Sequence, residues 1–334
     1  MKPIRIAQIG VNTHSHGPQI FNTLKKYPDC FEIAGYVLPD GERERLPEKM
    51  KHFDGYPELT LEEVLKDPSI EAVTVETDEI YLTKYAQMAA EAGKHIHMEK
   101  PGGADLAEFE KLIETVRKIG KVFHTGYMYR YNPTIQNLIQ RVRAGELGEI
   151  ISVEAQMSCY HLLWVRNWLK ELPAGMMFFL GCHLVDLILQ IQGMPERVIP
   201  LNRTTGYEGV ESTDFGMAVF EYENGVSFAK TTDIERGGFM RRQLVVTGTK
   251  ETVEIRPLEV GPEAGQHCEM RRVTDTAWSA DGEFIPSETQ GRYDGMMLAF
   301  ADYVRGVKEN PYTLDYELGL YKTILKTCGI EGRN

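Results

Sequence analysis

Residues 93–103 read GKHIHMEKPGG. A glycine stops the segment before them, Lys94 to Met98 has the short apolar character of a strand, and the charged pair Glu99-Lys100 runs into a proline and two glycines that turn the chain. Helical stretches flank this strand on both sides, Thr83 to Ala92 before it and Asp105 to Ile119 after it. The same alternation extends outward. Strands are predicted at Arg5 to Ile9, Phe31 to Leu38, Ala72 to Glu76 and Val122 to Thr125. Helices are predicted at Pro18 to Tyr27 and Leu61 to Lys66. Pro18 sits in a first turn, where a missing N–H costs nothing. Apolar strands that alternate with helices specify an α/β doubly wound parallel sheet covered on both faces. Lys100, at the carboxyl edge of such a sheet, points into the crevice where ligands bind.

Beyond about residue 125 the pattern changes. Thr134 to Ala144 is an amphipathic helix closed by Gly145, Ile150 to Ser158 alternates like a strand, and Gly181 to Gln192 has the character of a buried helix. From Val198 to about Ile255 strands dominate. Gly216 to Tyr222 and Val226 to Asp233 are joined by Glu223-Asn224-Gly225, and Leu244 to Val246 and Thr252 to Ile255 flank Gly248-Thr249-Lys250; both are hairpin signals. Helices at Met296 to Val307 and Glu317 to Lys326 follow. The expectation is two domains, 1–125 and 126–334, the second an α+β domain on a mostly antiparallel open sheet.

Composition narrows the partners. The 334 residues are 42% hydrophobic and 26% charged, ordinary for a globular protein, and the formal net charge of -12 argues against nucleic-acid and anionic-membrane partners. Gly175 to Gly193, the most apolar stretch, carries His183, Asp186 and two glutamines, which are costly in hydrocarbon. The N-terminus develops no signal-type apolar region before Gln8 and Gly10, so a cytoplasmic location is expected. Cys30, Cys159, Cys182, Cys268 and Cys328 form no CxxC pair and read as reduced core thiols.

The first strand-to-helix junction reads IGVNTHSHGPQIF. A dinucleotide fingerprint places glycines where the chain turns, where backbone meets pyrophosphate and where helix meets strand. Gly10 fills the first place, Asn12 stands in the second, and Gly17 comes two residues late. Asn tolerates the left-handed region, and a helix start still attracts an anion. Asp40, in Pro39-Asp40-Gly41, is either a turn former or the acid that would hold the adenosine ribose. Arg43 and Arg45 lie close enough to meet a 2′-phosphate, so NAD and NADP both stay open. Two HxH pairs, His14/His16 and His95/His97, have a spacing that zinc can use. His95 and His97 nevertheless belong to the fourth strand, His14 and His16 suit phosphate or solvent, and no metal is expected.

Taken in order, several stretches resemble the Gfo/Idh/MocA family, named for glucose-fructose oxidoreductase, inositol dehydrogenase and a rhizopine-catabolism protein. They are EEVLKDPSIEAVTVET, Glu99-Lys100-Pro101, GYMYRYNP (Gly126 to Pro133), RAGELGEI (Arg143 to Ile150), Gly181 to Asp186, and VVTGTKETVEI (Val245 to Ile255). The resemblance covers nearly the whole chain. It implies a Rossmann domain at 1–125 and an α+β substrate-binding and oligomerisation domain at 126–334, with a homodimer or homotetramer formed through the second sheet. It implies an NAD(P)-dependent oxidoreductase that moves a hydride between nicotinamide and a hydroxyl or carbonyl of a sugar, polyol or inositol-like substrate.

By that resemblance Lys100 and His183 are the catalytic pair. Gly10, Asn12, His16, Gly17, Asp40, Thr77, Glu99, Lys100, Pro101 and Arg130 face the cofactor, while Tyr160, Trp164, Trp168 and His183 face the substrate. The chemistry agrees, since hydride transfer from a carbinol needs a base near neutral pKa and a cation facing the developing oxyanion. Trp164 and Trp168 can stack on a sugar face or pack in a core. Family dehydrogenases commonly carry an aspartate one helical turn before the histidine, and counting back four from His183 gives Phe179, which holds no proton. Asp186 matches a position that anchors the helix. Either Lys100 and His183 suffice, or Tyr160 substitutes, or the reaction differs. The other outcomes are a silent ligand sensor or scaffold, and a lyase, epimerase or glycosidase that borrows the cofactor.

Overall fold

The structure is a computed structural model that describes residues 2–14 and 16–330. Five strands make the first sheet: β1 (Ile4–Ile9), β2 (Phe31–Val37), β3 (Ala72–Val75), β4 (His95–Met98) and β5 (Phe123–Thr125), in the order β2-β1-β3-β4-β5. Every pairing is parallel. Between them run α1 (Gly17–Lys26), α2 (Glu42–Arg45), α3 (Leu61–Lys66), α4 (Leu82–Glu91) and α5 (Leu106–Ile119). Local chemistry sets their ends. Thr60 and Glu63 form a reciprocal capping box at α3, while Asp105 caps α5 by accepting the Glu108 N–H and Gly120 closes it in the left-handed region.

A second sheet of eight strands follows, built on α6 (Pro133–Arg143), β6 (Ile150–Gln156), α7 (Leu163–Trp168), α8 (Cys182–Gln192), β7 (Arg197–Pro200), β8 (Phe215–Tyr222), β9 (Gly225–Thr232), β10 (Gln243–Gly248), β11 (Thr252–Ile255), β12 (Glu269–Val273) and β13 (Glu283–Pro286). Its order is β13-β12-β11-β10-β6-β9-β8-β7, antiparallel throughout except for the β6–β9 pair. Gly216, Ala218 and Phe220 on β8 point inward in strict alternation. The two expected hairpins form, with Tyr222 opposite Gly225 and Thr247 opposite Thr252. The short strands β12 and β13 and the helix α7 were not expected from the sequence; β13 is four residues on the rim of the sheet, where little burial marks its pattern. Two last helices, α9 (Asp294–Val304) and α10 (Leu314–Thr327), complete the chain. No described helix is long and apolar enough to cross a membrane.

The chain divides into two compact units, Met1–Met128 with Tyr293–Leu318, and Tyr129–Arg292 with Gly319–Asn334. This corrects the single cut at residue 125. The segment around α9 returns to the first unit because its apolar face, including Met296, Met297 and Phe300, is buried there. The Phe300 ring stacks on His124 at 5.3 Å, and the Asn310 amide donates to the Phe123 carbonyl at 3.0 Å. A helix that covers a sheet need not lie next to it in sequence, which is why the alternation of elements does not reveal it.

Gly225 opens β9 where a Cβ would lie 1.9 Å from the Ile151 carbonyl oxygen. Gly225→Ala is therefore expected to cost about 1–3 kcal/mol through strain at the β6–β9 junction, read as a lowered midpoint in urea denaturation.

Candidate active site

In the first unit the parallel strands bring three loops to one edge. Gly10 follows β1 with φ +89, and a Cβ there would lie 2.7 Å from the Thr77 backbone nitrogen, so a side chain at this turn is excluded. Asn12 adopts φ 55 in the place of a second glycine. Its amide nitrogen donates to the Thr77 carbonyl at 2.8 Å, and its side-chain oxygen accepts the His14 N–H at 2.7 Å. These bonds compensate the left-handed backbone that glycine would adopt without strain. Gly17 begins α1, where a Cβ would lie 2.5 Å from the Val11 carbonyl oxygen; the Gln8 amide ties the two ends of the loop by donating to the Gly10 and Gly17 carbonyls. The His16 ring lies 5.3 Å from that of Tyr293.

Asp40, open between turn former and ribose acid in the sequence, has the backbone of a turn former. It is exposed, adopts φ 57 as a turn former does, and accepts a hydrogen bond from the Tyr85 hydroxyl at 2.8 Å. The acid at the loop is Glu42, on the first turn of α2, which the sequence reading missed. Its buried carboxyl accepts the Val11 N–H at 3.0 Å and the Asn12 N–H at 3.3 Å. Asp78 accepts the Thr13 N–H at 2.8 Å. Lys49 donates to the Asn12 and Thr13 carbonyls, and Arg45 reaches both the Thr13 hydroxyl and Asp78. Arg43 is paired with Glu58 and Tyr36. Burial pushes the Glu42 carboxyl up to about 7, a rise that its two N–H bonds only partly offset.

The strand β4 delivers Glu99, Lys100 and Pro101 to the same edge. Lys100 is buried with its ammonium 3.6 Å from the Glu99 carboxyl, and Gly126 leaves room for Glu99, since a Cβ there would lie 2.6 Å from its Oε2. Two further carboxyls, Glu76 and Glu79, are fully buried behind β3. Burial, and the negative charge of Glu99, raise Glu76 well above the usual carboxylate range, and Glu79 is pushed up to about 7 by burial; the Lys100 charge pulls both the other way. Thr77, also buried, completes this edge.

The second unit holds the other expected residues. His183 is buried on the first turn of α8, with the Tyr129 ring edge-on at 5.3 Å. The Tyr129 hydroxyl donates to Glu259 at 2.8 Å, and Arg242 and Arg292 hold the same carboxyl at 2.6 Å and 3.0 Å. Burial alone would raise Glu259; the two arginines outweigh it and keep the group below the usual range. Arg130, expected at the cofactor, is fully buried in this unit and binds Asp186 through Nε and Nη2 at 2.8 to 3.1 Å, while Gln190 donates to the same carboxylate. The pair fastens the Met128–Tyr131 turn to α8.

A π-helical turn, Met177–Gly181, leads into α8. Phe179, four residues before His183, falls within this turn. Phe179 lies there edge-on to Trp168 at 5.3 Å. Trp164 is 58% exposed, and the Tyr160 ring stacks under the Arg236 guanidinium at 4.7 Å. Arg166, which the sequence reading passed over, is fully buried against Asp233 at 3.3 Å and Glu208 at 2.6 Å and anchors α7, the helix that carries both tryptophans. His161 is held neutral by burial, its pKa lowered to about 4.

A doubly wound parallel sheet with a glycine turn, a buried lysine at its carboxyl edge and an α+β partner unit defines the class of two-domain nicotinamide-dependent oxidoreductases. The comparisons with known proteins make the assignment specific. Residues 4–127 match the oxidoreductase family model with an NAD-binding Rossmann fold, and residues 135–254 match the GFO/IDH/MocA C-terminal domain; the chain belongs to the Gfo/Idh/MocA oxidoreductase family. It is 24% identical over 272 residues to the uncharacterized oxidoreductase ORF334 of Rhizobium meliloti, covering 79% of this chain and 78% of that one. It is 26% identical over 164 residues to the scyllo-inositol 2-dehydrogenase (NADP(+)) IolW of Bacillus subtilis, covering 48% of this chain and 46% of that one, so this match spans about half of the relative. A putative NADPH-dependent oxidoreductase from Desulfitobacterium hafniense shares the fold at a TM-score of 0.82 and 18% identity, over 98% of this chain and 95% of that one.

Two outcomes test this geometry. Glu42 has a folded pKa raised from 4.5 to about 7, so its contribution to stability is present below pH 4.5 and is lost as pH rises through 7. Glu42→Gln does not titrate, and its stability relative to the unsubstituted protein is expected to improve by up to roughly 3 kcal/mol between pH 4.5 and pH 8, measured by denaturation at each pH. Asp186→Ala leaves the Arg130 charge buried and uncompensated, and a loss of about 3–5 kcal/mol is expected in the same assay.

Proposed function

We propose that this protein is an NAD(P)-dependent dehydrogenase or reductase of a sugar, polyol or inositol-like substrate, with the dinucleotide held by the first unit and the substrate by the second. The observation that carries the reading is the buried Lys100, set among Glu99, Glu79 and Glu76 at the same sheet edge as the Gly10 turn. The residues fit a dinucleotide: Gly10 and Gly17 let the loop after β1 pack tightly against Thr77 and Val11, and the start of α1, where an anion is favoured, follows directly. When bound, the nicotinamide supplies the hydride acceptor or donor. The protein's own groups do the rest. Lys100 faces the oxygen whose charge develops as the hydroxyl proton departs, with the Glu99 carboxyl 3.6 Å from its ammonium. His183, backed by Tyr129, is the base that takes or returns that proton.

The substrate class rests on relatives. Beside the scyllo-inositol enzyme, a D-xylose 1-dehydrogenase (NADP(+)) of Haloferax volcanii matches over half of this chain. The tryptophans of α7 offer apolar faces of the kind that sugar rings stack on.

A specific observation favours a second reading. Glu42 and Asp78 already accept the N–H groups of Val11, Asn12 and Thr13, which a catalytically silent member could keep permanently closed. Calorimetric titration with NAD(H) and NADP(H) separates the two. Binding of at least one of the four is expected, and a flat titration with no change in Tm overturns the enzyme reading. With a substrate found by scanning inositols, aldoses and sugar acids, Lys100→Met is expected to bind cofactor while kcat falls about 10²- to 10⁴-fold. An unchanged kcat would remove Lys100 from the chemistry.

A further inference from the structure

Across the middle of the first sheet the strands place polar side chains in register. Tyr36 lies opposite Gln8, Gln8 opposite Thr74, Thr74 opposite His97, and His97 opposite His124. All are buried, in a layer where parallel strands ordinarily carry aliphatic side chains. At one end of the row the two imidazoles meet, His97 Nδ1 to His124 Nδ1 at 2.7 Å. The other ring nitrogen of His97, Nε2, lies 3.6 Å from Glu76 Oε1, just outside hydrogen-bond distance. Among the described residues neither carboxyl oxygen of Glu76 has a hydrogen-bond partner, although the group is wholly enclosed. Three buried polar groups in line are costly unless each is matched.

The matching is constrained by chemistry. Two Nδ1 atoms 2.7 Å apart hold one proton between them, so one ring donates and the other accepts. If His97 donates from Nδ1, its Nε2 is a lone pair, and only a protonated Glu76 can donate to it. If His97 accepts at Nδ1, its Nε2 carries hydrogen and suits a charged Glu76. Both arrangements are internally consistent, and a small rotation of the carboxyl closes the remaining gap in either.

We propose that Glu76, His97 and His124 form a two-state proton store behind Lys100, in which the charge of Glu76 and the tautomers of both histidines change together. In the neutral state the Glu76 hydroxyl donates to His97 Nε2 and the His97 Nδ1–H donates to His124 Nδ1. On passing to the charged state the carboxyl proton crosses to His97 Nε2, the His97 Nδ1 proton crosses to His124 Nδ1, and the Nε2 proton of the buried His124 leaves to water during local opening of the fold. Only O–H and N–H bonds change, no electron moves, and one proton separates the two states.

The groups facing the array are Glu79 beyond β3, Glu99 and Lys100 at the end of β4, Tyr303 of α9 beside His124, and Glu317 of α10, bonded to Thr125. The Lys100 charge favours the charged state, while Glu99, Glu79 and the burial of Glu76 favour the neutral one. Burial also keeps His97 neutral, its pKa lowered to about 3, which leaves Glu76 as the member that carries charge. Resting on the dehydrogenase reading, the store makes Glu76 a positioning residue: it adjusts the field at Lys100 as the hydroxyl proton leaves.

The test uses the full-length protein labelled with ¹⁵N-histidine, without substrate or cofactor. The ring ¹⁵N signals of His97 and His124 are expected to exchange tautomers together as pH rises. In Glu76→Gln they are expected to stay fixed at every pH, because the amide donates permanently to His97 Nε2. Tautomers that do not change with pH in the unsubstituted protein overturn the proposal, whether or not the variant folds. In turnover, Glu76→Gln is expected to remove one ionisation from the pH profile of kcat and leave KM within about twofold; an unaltered profile breaks the link to Lys100. A protein whose histidines switch but which binds no dinucleotide overturns the dehydrogenase reading and leaves the store standing.

Discussion

In a sheet whose strands all run one way, every loop that follows a strand emerges at the same edge. That constraint places Gly10, Thr77 and Lys100 together although they lie far apart in the chain. The strands β1 and β3 are neighbours, so the turn after β1 abuts the segment after β3, and glycine is needed at residue 10 because Thr77 occupies the space a side chain would take. Asn12 is fixed by the same contact through its bond to the Thr77 carbonyl. The features that weaken the glycine fingerprint as a pattern are thus coherent as a structure: Asn12 provides with a side chain the fixation that a second glycine leaves to a ligand.

Charge in dry surroundings is the second theme. Lys100, Glu76, Glu79 and Glu99 are all buried within one unit, and Arg130, Arg166 and Glu259 within the other. In the second unit each buried arginine has a carboxylate partner at hydrogen-bond distance, and the outcome is structural: Arg130 fastens a turn to α8, and Arg166 holds α7. In the first unit carboxyls outnumber the lysine, and two of them are pushed toward their neutral forms. Uneven pairing of this kind is what makes protonation respond to a change of charge close by.

The fold was largely legible in the sequence because parallel strands and amphipathic helices leave different apolar periods. Each predicted strand of the first sheet formed within about a residue or two of its expected ends, and both hairpins of the second sheet formed where the turn residues placed them. What stayed hidden was long-range. The return of α9 to the first unit depends on the burial of Phe300, and the place of Glu42 depends on two backbone N–H groups some thirty residues earlier. Asp40 stood open between a turn former and the ribose acid; its positive φ is that of a turn residue, while the carboxyl two positions later is buried against the first loop. The register that aligns His97 with His124 cannot be read from either strand alone.

The eight-stranded sheet has two rims, β7 and β13, each four residues long. Both end on a proline, Pro200 and Pro286, and both begin with a charged residue, Arg197 and Glu283. A proline offers no N–H to an incoming strand and a charge resists being covered, so both features disfavour extension of the sheet at either rim. The broad sheet is open in form, yet its rims are short and poorly suited to pairing with a further strand.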